Sequence, residues 1–230
     1  MNKNILFKIL AIVWAISGAV ILLGVLWPIL SYKSKDIKSK KEILLNPSPG
    51  DKRVEESENL DYTKASNWFY GGADKEDFYS SKISFYNISI PKLKIENAVV
   101  AIGGEDLSKN LIQYPGTAVP GKLGNAVIFG HSVLPIFFNP KEYISIFSTL
   151  PSLKKGDEIT VNYDSVTYQY IVESAFDVYP TDIQVLQQDK SDSFLTLVTC
   201  VPPGDPRKPK RHIVRARVVP PDHAYAPAGN

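Results

Sequence analysis

One cysteine occurs in the 230 residues, and it closes an apolar run: Phe194-Leu195-Thr196-Leu197-Val198-Thr199-Cys200, followed by Val201-Pro202-Pro203-Gly204. The run reads as a strand with the thiol on its last residue, because a Pro-Pro-Gly break ends a ladder. A thiol at a strand exit can be a nucleophile. The attacking species is then the thiolate, a few per cent populated at neutral pH for an ordinary pKa of ~8.5. It can equally be a small buried hydrophobe. A second apolar run, Ala126–Phe129, stops at Gly130, and His131 follows at once. An imidazole there reaches a cleft as a proton carrier, or is a plain turn residue. The third place is the basic stretch Arg207-Lys208-Pro209-Lys210-Arg211-His212-Ile213-Val214-Arg215-Ala216-Arg217. Strand alternation sets Arg211, Ile213 and Arg215 on one face and His212 and Val214 on the other. If Phe194–Cys200 and His212–Val219 pair as neighbours, Arg211 stands beside Cys200. A guanidinium there would stabilise a thiolate and hold a carbonyl oxygen that gains charge in acyl transfer. The plain alternative is the solvated basic edge of a strand. Arg215 is the second candidate cation, while His212 faces away, so His131 is the preferred partner of the thiol. Nucleophile, proton carrier and cation together are the parts of covalent acyl transfer through a thioester.

Composition bounds the rest. Apolar residues make up 44% and charged residues 22%, so a packed core is within reach and wholesale disorder is excluded. A lone cysteine excludes an intrachain disulfide, and with three scattered histidines it excludes a cysteine-rich zinc site. The formal net charge of +2 argues against a nucleic-acid binder.

Residues 9–30 carry no charge, and 22 residues are enough to cross a bilayer. The run is too long for the core of a signal peptide and has no small-x-small cleavage site, so an uncleaved anchor is expected after the short N-terminal segment 1–8. Trp27 and Tyr32 fall where an aromatic belt would lie. Lys33, Lys35, Lys38, Lys40 and Lys41 outnumber Lys3 and Lys8, which by charge alone would place the C-terminal side inside. Residues 31–60 hold seven Lys/Arg and six Asp/Glu around Asn46-Pro47-Ser48-Pro49-Gly50, the signature of a solvated stalk. The stalk and an N-terminal flap run over 31–81, the flap marked by Tyr62, Trp68, Phe69, Tyr70, Phe78 and Tyr79. From Lys82 the pattern is short strands: Ile83–Ile90, Leu93–Ile102, Ala126–Phe129, Glu158–Tyr163, Val166–Val178, Phe194–Cys200 and His212–Val219. Asp106–Ile112 and Glu142–Leu150 read as short helices. The expected fold is all-β, a closed antiparallel or mixed barrel of about eight strands with short helices, over 82–220. Residues 221–230 are expected to be a flexible tail.

Several stretches resemble the sortases, the cysteine transpeptidases of bacterial surfaces. Thr196-Leu197-Val198-Thr199-Cys200 is similar to the family's Thr-Leu-x-Thr-Cys signature. Tyr114-Pro115-Gly116-Thr117-Ala118 and Gly121 through His131 resemble the segment leading to the family histidine. Phe147-Ser148-Thr149-Leu150 with Leu153 through Glu158 resembles the stretch after it. Pro180-Thr181-Asp182 with Val185-Leu186 resembles the loop bordering the peptide groove, and Arg211 with Ile213-Val214-Arg215-Ala216 the strand carrying the family arginine.

The resemblance implies a sortase-like barrel in which Cys200 attacks the Thr-Gly bond of a Leu-Pro-x-Thr-Gly-like sorting signal. His131 would be the general acid and base, and Arg211 the oxyanion partner. It implies substrate contacts at Thr199, Ile183, Val185 and Leu186, and no metal or other cofactor, with calcium stimulation left open. The implied partners are surface proteins with a C-terminal sorting signal and an amine acceptor such as cell-wall peptide or pilin. The implied location is the cell membrane, single-pass, with the N-terminus 1–8 cytoplasmic and the catalytic domain outside, which leaves the stalk lysines to contact anionic lipid headgroups or wall polymers. No Asp-x-Trp motif of the pilin-building members precedes His131, which favours a housekeeping or class D/E-like member. The rival readings are a cysteine peptidase using water in place of the amine and a non-catalytic anchored β module with a structural cysteine. The Ser-His-Gly-Cys run of L,D-transpeptidases is absent.

Overall fold

The computed structural model describes residues 7–8, 10–24, 60–79 and 84–220. The chain divides into two compact units, Met1–Glu55 and Glu56–Asn230. Within the first, residues 10–24 are helical, with Leu10, Trp14, Ile16, Val20 and Leu23 all exposed. Fifteen residues rise about 22 Å, short of a hydrocarbon core of roughly 30 Å. No helix among the described residues is long and apolar enough to cross a membrane. The remainder of the expected span, residues 9 and 25–30, lies outside the described residues, as do 31–59 and 80–81 of the stalk and flap and the tail 221–230.

The second unit is an eight-stranded barrel. Its strands are β1 (Ser84–Ile90), β2 (Ile95–Ile102), β3 (Leu111–Gln113), β4 (Gly124–Phe129), β5 (Glu158–Tyr163), β6 (Val166–Val178), β7 (Ser193–Val201) and β8 (Lys210–Val218). They close in the order β1-β2-β3-β4-β7-β8-β6-β5. The β2–β3 and β4–β7 pairs are parallel and the other pairs antiparallel, so the barrel is mixed. Alternation sorts the side chains into two layers. Ala126 and Ile128 of β4, Leu195 and Leu197 of β7, and Val214 and Ala216 of β8 fill the interior with Ile88, Ile90, Val100 and Tyr170. Val127 and Phe129, Val198 and Cys200, and Ile213 belong to a second cluster on the outer face. That cluster is completed by Ala65, Trp68, Phe69 and Phe78 of the flap, which explains why β7 is buried along its whole length.

Two expected helices are absent. Residues 106–110 form a turn leading into β3, where Leu111 and Ile112 pair in parallel with Val100 and Ala101. The gain from burying these two residues between β2 and β4 outweighs any local helical preference. Residues 141–149 form successive turns, with Ser145 N donating to Glu142 O, Ser148 N to Ser145 O, and Leu150 N to Phe147 O. Ser145 Oγ competes for the Asn139 and Glu142 carbonyls, and Ile, Thr and aromatic residues prefer other conformations. The short helices present in the barrel unit are 3-10 turns.

Candidate active site

Three adjacent strands place the chemistry-bearing residues. In the antiparallel β7–β8 pair, Cys200 stands opposite Arg211. In the parallel β4–β7 pair, Phe129 stands opposite Val198. Continuing that register by two residues sets His131 opposite Cys200, with neighbouring strands about 4.8 Å apart. Three hydrogen bonds hold the chain there. Gly130 N donates to Val198 O at 3.1 Å, Thr199 Oγ1 to Gly130 O at 2.8 Å, and Ser132 Oγ to Cys200 O at 2.7 Å. Phe147 N also donates to His131 O at 3.0 Å. A side chain at residue 130 would lie 2.3 Å from Phe147 Cδ2 and 2.6 Å from Leu111 Cδ2, so any larger residue would displace these two buried side chains. His131, Cys200 and Arg211 therefore form a row on the outer face, on the same side as Phe129, Val198 and Ile213.

The row is covered. Cys200 is 1% exposed, Arg211 1% and His131 4%. Residues 60–79 form the cover, fixed at its edges to the loop after β2. Ala65 N donates to Glu105 O at 3.0 Å and Leu107 N to Thr63 O at 2.9 Å. The buried Glu105 carboxylate accepts from Ser66 Oγ at 2.6 Å and Tyr79 OH at 2.9 Å. Between these anchors Trp68, fully buried, stacks on Phe129 at 5.1 Å and meets His131 edge-on at 6.4 Å. The Trp68 carbonyl accepts from Arg211 Nε at 3.0 Å, and its ring lies 5.6 Å from the guanidinium. Arg211 Nη1 donates to Lys208 O at 2.7 Å and to Lys210 O at 3.2 Å. A main-chain carbonyl of the flap thus occupies the Arg211 Nε donor.

Burial also sets the protonation states. It lowers His131 from the ordinary 6.5 to about 4; Lys208 pushes the same way and the Asp61 carboxylate opposes. His131 Nδ1 is buried without a hydrogen-bond partner. Burial pushes the Cys200 thiol up, against the pull of Arg211 and Lys208. At neutral pH the covered pair is therefore neutral thiol and neutral imidazole, a resting state rather than an attacking one.

The other expected residues fall as follows. Thr199 sits on the inner side of β7, its hydroxyl committed to Gly130, so it supports the His131 loop from beneath. Ile183, Val185 and Leu186 lie on one 3-10 turn between β6 and β7. Ile183 is exposed, while Val185 and Leu186 pack against the cluster containing Cys200. Arg215 stands opposite Thr196, four residues and about 13 Å from the thiol, with its guanidinium 4.1 Å from the Phe194 ring centroid. His212 stands opposite Thr199, and its Nδ1 meets Asp177 Oδ1 at 2.6 Å. Among the described residues no group of three or more His, Cys, Asp or Glu could hold a metal ion. Sequence reasoning missed Lys208, Asp61 and Ser132. Only Ser132, adjacent to His131, carried a sequence signal for its part.

The Sortase domain family model matches residues 88–219, the whole barrel from within β1 to just past β8. Sortase A of Bacillus anthracis is 28% identical over 232 residues, spanning 95% of this chain and 97% of that one. Sortase A of Staphylococcus aureus (strain NCTC 8325 / PS 47) is 32% identical over 128 residues, 48% of this chain and 58% of that one. The solved Clostridium perfringens Sortase D5 transpeptidase superposes with a TM-score of 0.51 at 28% identity, covering 64% of this chain and 93% of that one. With its mixed eight-stranded barrel matched from end to end, the chain belongs to the sortase family of cysteine transpeptidases.

Proposed function

We propose that this protein is a membrane-anchored sortase that cuts a Leu-Pro-x-Thr-Gly-like sorting signal at its Thr-Gly bond and joins the threonine carbonyl to an amine. Cys200 attacks the threonine carbonyl as thiolate. The C–N bond breaks, His131 gives its proton to the leaving glycine amine, and a thioester remains on Cys200. An incoming amine, from cell-wall peptide or a pilin lysine, loses a proton to His131 and attacks the thioester. The new amide forms and the sulfur is released. Arg211 holds the carbonyl oxygen as it gains negative charge. The observation that supports this reading is that Cys200 stands opposite Arg211 in the β7–β8 register while Ser132 Oγ, on the residue next to His131, donates to Cys200 O at 2.7 Å.

Turnover requires residues 60–79 to leave the row, because the sulfur is enclosed and Arg211 Nε is occupied. Water returning on opening removes the desolvation that keeps His131 and Cys200 neutral, so the thiolate–imidazolium form gains population as the groove is uncovered. The anchor reading rests on the uncharged run 9–30 and on the apolar side chains exposed around the helix at 10–24. Sortase membership favours a catalytic unit outside the cell, against the charge count of the flanking lysines.

Full-length protein in detergent micelles, given a fluorescent sorting-signal peptide and triglycine, tests the reaction. Ligated peptide–triglycine is the expected product. Hydrolysed peptide alone, at saturating triglycine, would make the chain a peptidase.

A further inference from the structure

The residues between β6 and β7 belong to no strand, and their single 3-10 turn, Ile183–Leu186, is closed by the bond from Gln187 N to Gln184 O at 3.1 Å. This loop is nonetheless fastened to the barrel wall, at Gln188. Gln188 Oε1 accepts from Ala118 N and from Asn125 N, each at 3.0 Å. Gln188 Nε2 donates to Asn125 O at 3.1 Å and to Leu186 O at 3.0 Å. The amide's two donors and both lone pairs of its oxygen are all used, on main-chain groups of three separate segments. Asn125, itself fully buried, adds a bond from Nδ2 to Val185 O at 3.1 Å and accepts from Thr196 Oγ1 at 2.7 Å. The approach depends on Gly124, which has φ +129; a Cβ there would lie 3.0 Å from Gln188 Oε1 and 2.8 Å from Ala118 Cβ.

These bonds end at Val185 and Leu186, the two loop residues packed against the outer-face cluster that holds Cys200. The loop's other half is tied differently: Tyr70 N of the flap donates to Pro180 O at 3.0 Å. When the flap departs, Pro180 loses that partner, while Val185, Leu186 and Gln188 keep theirs.

We propose that Gln188 is a positioning residue that sets the enzyme's affinity for its peptide substrate, by holding Val185 and Leu186 against the groove before the peptide arrives. This rests on the transpeptidase reading above. A wall ordered in advance spares the peptide the entropy of ordering it, so the effect falls on KM and leaves the chemistry at Cys200 untouched. A carboxylate could serve the two N–H donors but not the two carbonyls, and an apolar side chain neither. The position therefore calls for a carboxamide.

The test uses the full chain with Gln188→Met, which keeps length and bulk but no hydrogen bond, and Gln188→Glu, which keeps only the acceptors. Two readouts are taken: hydrogen exchange of residues 183–187 by mass spectrometry, and steady-state transfer of a sorting-signal peptide to triglycine. For Gln188→Met, exchange should rise about tenfold or more, KM should rise about tenfold, and kcat should stay within roughly twofold. Gln188→Glu should lie between Met and wild type. Unchanged exchange, an unchanged KM, or a fall in kcat at constant KM in the Met variant would overturn the proposal. So would a Glu variant indistinguishable from wild type. If wild type transfers no peptide, the transpeptidase reading falls, and the exchange measurement alone decides whether Gln188 holds the wall.

Discussion

Replacing Trp68 with alanine should convert the enclosed thiol into an accessible one. Trp68 is fully buried, and its contacts are the Phe129 stack at 5.1 Å, the Arg211 guanidinium at 5.6 Å and a hydrogen bond from Nε1 to Tyr62 O at 3.0 Å. Truncating a buried Phe or Trp to alanine costs about 3–5 kcal/mol. Most of that cost falls on the covered state, because an uncovered Trp68 loses Phe129 and Arg211 and keeps only the bond to Tyr62 O, which lies within the flap. Taking the lower end, about 3 kcal/mol at 1.4 kcal/mol per decade shifts the covered-to-uncovered ratio roughly 100-fold. With a sulfur only 1% exposed, alkylation proceeds through the uncovered state, so its rate follows that ratio. The assay is the pseudo-first-order rate of iodoacetamide modification of Cys200 at pH 7.5. Trp68→Ala should react roughly 100-fold faster than wild type. Trp68→Phe, which keeps a ring on Phe129, should fall between. Equal rates in wild type and Trp68→Ala, or a wild-type rate equal to that of a free thiol, would refute the idea that this residue holds the cover down.

The pH dependence of the cover follows from His131, whose pKa is about 4 when covered against an ordinary 6.5 in water. The covered form binds fewer protons, so its advantage is whole above 6.5 and shrinks as pH falls from 6.5 towards 4. At pH 5 the covered-to-uncovered ratio should be roughly thirtyfold lower than at pH 8. An NMR titration of the imidazole should place His131 near 4 in wild type and closer to 6.5 in Trp68→Ala; the same midpoint in both would contradict the assignment. His131→Ala should abolish thioester formation. His212→Ala should leave it but lower the melting temperature, by removing the 2.6 Å contact to Asp177; a reversed outcome would exchange the roles of the two histidines.

The parts of the site that were legible in the sequence are those set by short-period patterns. Alternation along His212–Val219 and the Pro-Pro-Gly break after Cys200 were enough to put Arg211 beside the thiol, and the β7–β8 register has that pairing. The aromatic residues of 60–79 announced a flap that packs on the domain. Where it would dock was not legible, because Tyr62, Trp68, Phe69 and Phe78 follow no helical or strand period, and their partners lie in β3, β4, β7 and β8. Strand β3 escaped notice because three residues are too few to show a period. Gln188 was invisible for a related reason. Its partners are main-chain groups, which every sequence supplies equally.

In a thioester mechanism Cys200 must carry the acyl group. Intact-mass and peptide-mapping mass spectrometry of the full-length protein, mixed with a sorting-signal peptide without added amine and quenched in acid, reads this directly. The expected result is an adduct of the peptide up to its threonine, attached through Cys200 and released by hydroxylamine. Peptide cleavage with no adduct on Cys200, or cleavage undiminished in Cys200→Ala, would contradict it.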